Sequence, residues 1–169
     1  VKVSEGDAFS EKCRTLCRSS FPRNERIGFD AILRLCGKGR AELLALADGC
    51  EFVGSTLTIL GDCPCLLYFS IRADLRGNGY GSEALALLRE RYGRFFLFAE
   101  EPSGTDDGLR SRRISFYRRN GLEDIGGYGR LEIPYRVLAC GGITMDEVDG
   151  ACSGNDFIYL VEDSNIDTD

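Results

Sequence analysis

The 169-residue chain contains no histidine and no tryptophan. Without an imidazole, Ser-His-Asp and Cys-His nucleophiles and His-ligated metals are excluded. Chemistry must rest on Tyr, Cys, Asp, Glu, Ser, Lys, Arg or the backbone. There is one methionine and there are four prolines. No apolar run approaches the ~20 residues that a membrane-spanning helix needs. Val1 to Phe9 carries charges in place of the apolar stretch of a secretory leader. The expectation is a cytoplasmic protein with no membrane partner. No Cys-x-x-Cys occurs either, so the zinc-ribbon spacing is missing. Cys13 and Cys17 are spaced to share a helix face, and Cys63 and Cys65 a strand face. The eight cysteines read as free thiols and small buried hydrophobes, and no metal site is expected.

What is present is an ordinary globular composition, 43% apolar and 28% charged, in a chain of one-domain length. The net charge of −6 is uneven. All side-chain charges after Arg136 are acidic, which leaves the body close to neutral and the tail negative. The basic residues are nearly all arginine. Five of them (Arg110, Arg112, Arg113, Arg118 and Arg119) fall within ten positions, either as a solvated helix face or as an anion site. Binding to nucleic acid through this cluster is disfavoured by the pI of 4.8 and the acidic tail.

Hydrophobic periodicity predicts helices over Ala8–Arg18 and over a stretch capped by Asn24 and stopped by Gly37. Strands are predicted over Ala41–Ala47 and Glu51–Leu60, around an Asp48-Gly49 turn, and over Leu66–Ile71. A glycine-rich loop, an amphipathic helix and the apolar strand Arg94–Ala99 follow. Ser111–Asn120 is a helix ended by Gly121. Leu122–Ile125 and Leu131–Leu138 read as strands around a glycine-rich turn. The last thirty residues are weakly patterned, with a possible strand at Phe157–Val161. The reading is one α/β (α+β) domain over residues 1–140, with a mixed sheet of about six to seven strands and about four helices. An acidic, partly ordered extension covers residues 141–169.

The loop holds Gly77, Gly79 and Gly81 between a buried strand and a helix start. Backbone N–H groups and the helix dipole there suit a phosphate or pyrophosphate. A Walker A loop is excluded because no lysine follows. A dinucleotide-binding loop would follow the first strand of a parallel sheet, whereas this one follows a hairpin and a third strand.

Arg76-x-x-Gly79-x-Gly81 resembles motif A of the GNAT N-acetyltransferase superfamily, [QR]-x-x-G-x-[GA]. Ser115-Phe116-Tyr117-Arg118-Arg119-Asn120-Gly121-Leu122 is similar to its motif B, with core FYxxxGF. Ser20-Phe21-Pro22-Arg23-Asn24-Glu25-Arg26 and Arg112-Arg113-Ile114-Ser115-Phe116-Tyr117 resemble segments of a small bacterial subgroup of unknown acceptor. The chain departs from the common pattern at Arg110 and Arg113, where Asn and Ala are usual, at Leu122 in place of Phe, and at Arg72-Ala73.

The resemblance implies the GNAT acyl-CoA N-acyltransferase fold and acetyl-CoA as co-substrate, held where two parallel strands splay apart. Phe69, Ser70 and Ile71 would pair with the pantetheine arm, and Arg76, Gly77, Asn78, Gly79, Tyr80, Gly81 and Ser82 would hold the pyrophosphate. The N–H of Ser70 or Ile71 would polarise the thioester. Tyr117 matches the position of the general acid. Glu100, Glu101 and Glu25 are candidates for the base that frees the amine. The implied reaction is direct acetyl transfer to a primary amine of a small molecule or peptide, in a ternary complex, by a monomer or homodimer. The alternative is a non-catalytic acyl-CoA-binding or regulatory protein of this fold.

Overall fold

The computed structural model describes residues 1–4, 6–23, 26–102, 108–130 and 133–153. The elements in chain order are α1 (Ser10–Ser20), α2 (Phe29–Gly37), β1 (Ala41–Asp48), β2 (Glu51–Ile59), β3 (Cys65–Ile71), α3 (Tyr80–Tyr92), β4 (Phe95–Glu100), α4 (Leu109–Arg119), β5 (Glu123–Arg130), β6 (Ile133–Cys140) and α5 (Met145–Ser153). The strands form one six-stranded sheet in the order β1-β2-β3-β4-β6-β5. All neighbouring pairs are antiparallel except β3 and β4.

Alternation along the strands builds two cores, one on each face of the sheet. In β4, Phe96 and Phe98 belong to the face covered by α1 and α2, while Phe95, Leu97 and Ala99 face α3 and α4. Phe95 and Phe96 are both fully buried. Each large side chain removed from water contributes about 1.5–3 kcal/mol, which explains why this strand is apolar on both sides. Among the described residues one charged residue is buried. Glu42 of β1 is 5% exposed and accepts hydrogen bonds from Arg91 (2.5 and 2.6 Å) and from the Tyr92 hydroxyl (2.6 Å) at the end of α3.

Three sequence expectations change. The predicted cap of α2, Asn24, lies outside the described residues, and the helix starts at Phe29 after Gly28. The glycine-rich stretch predicted as a turn between the last two strands is part of β5, which runs from Glu123 to Arg130. The third change explains the second, and it is α5. A Cβ at Gly126 would lie 3.0 Å from the sulfur of Met145, so the missing side chain there seats the first residue of that helix. Helix α5 opens with a capping box: the Thr144 N–H and hydroxyl donate to Glu147, and the Glu147 N–H donates to the Thr144 hydroxyl. Glu147 also pairs with Arg94 at 2.7 Å, and Val148 is fully buried in the core under α1 and α2. Residues 141–153 therefore pack on the same body as the rest. The possible strand at Phe157–Val161 lies outside the described residues.

Candidate active site

The site begins at a defect in the sheet. Thr58 pairs with Leu66 and Leu57 with Tyr68, so Leu67 is an extra, unpaired residue and β3 carries a bulge. Between β3 and β4 a single residue pair, Cys65 with Phe96, is in register, next to a hydrogen bond from the Phe96 N–H to the Pro64 carbonyl at 3.0 Å. Beyond that point the two strands part, leaving a cleft that opens towards Ile71 and Glu100.

Backbone direction decides which groups line the cleft. The Arg72 N–H donates to Val53 of β2 at 2.9 Å. A Cβ on Gly54 would lie 2.3 Å from the Ser70 carbonyl oxygen, so that oxygen also faces β2. By alternation, the N–H and C=O groups of Phe69 and Ile71 face the cleft. The Arg76 guanidinium already donates to the Ile71 carbonyl at 3.1 Å. The structure thus leaves strand-like pairing to Phe69 and Ile71, with the Ser70 backbone turned to β2.

At the end of the cleft stands α3. Its N-cap is Gly79 at φ +91°, with no side-chain cap, and Gly77 has φ +85°. A Cβ at either glycine would meet nothing within 4 Å, so the ground above the loop is open. Ser82 and Glu83 donate back to Gly79. The earlier N–H groups of the helix are those that a helix leaves unpaired. Open ground, uncapped donors and the positive end of a 13-residue helix fit a pyrophosphate. Gly81 has a different role: its Cβ would lie 3.1 Å from the Phe116 ring, so glycine lets α3 and α4 approach closely. The Asn78 side chain donates to Leu75, and the Tyr80 hydroxyl donates to Asp48 of the β1–β2 turn at 3.0 Å.

Helix α4 supplies Phe116 and Tyr117. Phe69 stacks on Phe116 and tilts against Tyr117, with ring centroids 6.4 Å apart in both cases. Tyr117 is 8% exposed. Burial pushes its phenol up to about 12, and Arg113, one turn earlier, pulls it back only partly. No hydrogen bond of its hydroxyl is found among the described residues. It is a protonated donor with nothing yet to donate to.

Glu100, at the end of β4, pairs with Arg110 of α4 at 2.6 Å. The Glu101 N–H donates to the Pro134 carbonyl. Glu25 lies outside the described residues. Sequence reasoning missed Phe116 as the floor beneath Gly81 and Arg110 as the partner of Glu100. The FYxxxG string carried the first signal; nothing local carried the second.

Among the described residues no three Cys, Asp or Glu side chains gather to hold a metal ion, and no helix is long and apolar enough to cross a membrane. No disulfide joins any of the eight cysteines among the described residues. Burial pushes Cys13 up to about 12 and raises Cys36, Cys63 and Cys140, which leaves these thiols poor nucleophiles at neutral pH.

No protein-family model matches the sequence, and no match was found among curated proteins. Solved structures do match. A putative GNAT acetyltransferase from Bacteroides thetaiotaomicron superposes with a TM-score of 0.79 at 21% identity, covering 95% of this chain and 97% of that one. An aminoglycoside 6'-N-acetyltransferase complexed with coenzyme A gives 0.67 at 15% identity, over 83% and 94% of the two chains. A GNAT acetyltransferase from Elizabethkingia anophelis with acetyl-CoA bound gives 0.57 at 10% identity, over 82% and 94%. The chain has the fold of the GNAT acetyltransferases.

Proposed function

We propose that the chain is an acetyl-CoA-dependent N-acetyltransferase that acts on a primary amine by direct attack in a ternary complex. The observation that carries this reading is the cleft between β3 and β4, with the uncapped N-terminus of α3 at its end and the Tyr117 ring packed against Phe69 of β3. The solved structures of the same fold with coenzyme A or acetyl-CoA bound support it. When bound, acetyl-CoA would supply a thioester whose C–S bond breaks as the acceptor nitrogen forms the new C–N bond.

The chain's own residues do the rest. The backbone from Arg76 to Ser82 binds the pyrophosphate, and Phe69 and Ile71 align the pantetheine arm as an added strand. The Ile71 N–H polarises the acetyl carbonyl. Tyr117 hands its proton to the departing thiolate, for which a protonated phenol is suited at neutral pH. The acceptor ammonium, with a pKa of about 10 when lysine-like, must lose a proton first. Glu100, positioned by Arg110, takes it directly or through water.

Calorimetric titration with acetyl-CoA tests the site. Micromolar binding that is lost in Gly79→Asp and Gly81→Asp is expected, followed by acetylation of at least one amine in a broad panel. Folded protein that does not bind refutes the site. Binding without turnover of any amine refutes the enzymatic reading in favour of an acyl-CoA-binding protein.

A further inference from the structure

A group of arginines gathers where α1 meets the start of α2. Arg14, Cys17, Arg18, Arg26, Ile27 and Phe29 line a hollow of about 10 Å³. That is room for about one water-sized group. Arg14 and Arg18 stand one turn apart on α1 and share one side of it. Arg26 reaches the hollow from the stretch before α2. That stretch is pinned to the sheet, because Ile27 is buried and its N–H donates to the Tyr68 hydroxyl at 2.9 Å.

The three arginines differ in what they hold. Arg14 donates to Asp30 at 2.9 Å, pairs with Glu11 at 3.5 Å, and lies over the Phe29 ring, 4.6 Å from its centroid. Both acids of this corner thus serve Arg14. Neither Arg18 nor Arg26 forms an ion pair among the described residues. The Arg26 Nε is shut off from solvent and has no hydrogen-bond partner among the described residues. A buried donor without an acceptor is unfavourable, and an oxyanion seated in the hollow would supply one.

We propose that this hollow binds a terminal phosphate group, free or on a small molecule, between the Arg18 and Arg26 guanidinium groups. Two uncompensated positive charges match a dianion, and guanidinium forks suit its oxygens. The size of the hollow admits one oxygen and leaves the rest of the group outside, which a terminal phosphate allows. A carboxylate carries half the charge. A chloride ion fills the hollow but offers no separate oxygens to two forks. No lining residue belongs to the cleft between β3 and β4, so the proposal stands apart from the acetyl-transfer reading.

The test needs a local signal, because the N-terminus of α3 is also suited to phosphate. The Arg26 Nε–H resonance in a proton–nitrogen correlation spectrum provides it, assigned by its loss in Arg26→Lys. Inorganic phosphate and glycerol phosphate are titrated at neutral pH and constant ionic strength, with sodium chloride as the balancing salt. The expected result is a saturable shift with a Kd of about 1 mM or tighter. Arg18→Gln should weaken binding roughly tenfold. Arg18 is exposed, so that variant keeps the fold, and its unliganded spectrum checks this. Tighter binding of glycerol phosphate marks a phosphorylated small molecule as the ligand, and equal binding marks free phosphate. A resonance that does not move with either probe overturns the inference. So does a shift that sodium chloride alone reproduces, or an affinity unchanged in Arg18→Gln.

Discussion

Replacing Tyr117 by phenylalanine separates catalysis from folding more cleanly than any other change in this site. The substitution removes one oxygen from a ring that is 8% exposed. That oxygen makes no hydrogen bond among the described residues, so no partner is orphaned. A largely buried hydroxyl without a partner costs about 1–3 kcal/mol from protein mutational data. Tyr117→Phe should therefore leave stability unchanged or raise it by about 1 kcal/mol. The packing on Phe69 and Phe116 is kept. The rate should respond quite differently. A positioned proton donor contributes about 10²- to 10⁴-fold, equivalent to roughly 3–5 kcal/mol of barrier. The decisive assay follows the loss of thioester absorbance at saturating acetyl-CoA, because thiol reagents would also react with the protein's own cysteines. Thermal unfolding and acetyl-CoA affinity are measured on the same samples. The reasoning is refuted if kcat stays within about twofold of the parent, or if Tm falls by more than about 4 °C, which would mark the hydroxyl as structural.

Other outcomes follow from the same geometry. Gly54→Ala places a methyl 2.3 Å from the Ser70 carbonyl, a backbone atom, so β2 and β3 must shift; a loss of several kcal/mol in denaturant unfolding is expected, about 3 or more. Glu42→Gln should cost about 2 kcal/mol by weakening the charge-assisted bonds from Arg91. Those bonds from Arg91 hold the Glu42 carboxyl below its usual value. Its contribution is therefore complete above the unfolded value and disappears as pH falls through the lower folded one. Parent stability should drop below about pH 4, with a shallower drop in Glu42→Gln. At the alkaline end, burial pushes Cys13, Tyr92 and Tyr117 each up to about 12. The folded state keeps protons that the unfolded chain surrenders, so these contributions are whole below about pH 9 and fade as pH rises towards 12. Denaturant midpoints that stay level across that range would contradict the assignment.

Local pattern made most of this fold legible. The run Phe95 to Ala99 could only be a strand buried on both faces, and the glycines after β3 could only be a loop leading into a helix. What stayed hidden depends on partners far along the chain. Glycines 126, 127 and 129 look like a turn until Met145 is seen to fill the space above Gly126. Helix α5 did leave a local trace, since Thr144 and Glu147 have capping-box spacing, but acidic composition masked it. In the candidate site, the glycine loop was readable from its place between a strand and a helix, and Tyr117 was singled out through the resemblance of its FYxxxG string alone. Which face of β3 each backbone group presents was not, because it depends on the bulge at Leu67 and the register with β2. The Glu100–Arg110 pair and the turning of Tyr80 towards Asp48 likewise needed three dimensions.

The single registered pair between β3 and β4 makes the sheet two half-sheets stitched at one end. β1, β2 and β3 form one leaf, and β4, β6 and β5 the other. Among the described residues no registered pair resists spreading of the leaves at the open end; that resistance falls to side chains, Phe69 against Phe116 and Tyr117 on one face and, on the other, the core that joins Leu57 and Cys65 to Phe96 and Val137. An extended molecule hydrogen-bonded to Phe69 and Ile71 would act as a splint, converting two leaves into one continuous board. Amide exchange at the cleft ends of β3 and β4 would then slow together when the splint is in place, and the protein would be most rigid at the moment its chemistry has to be done.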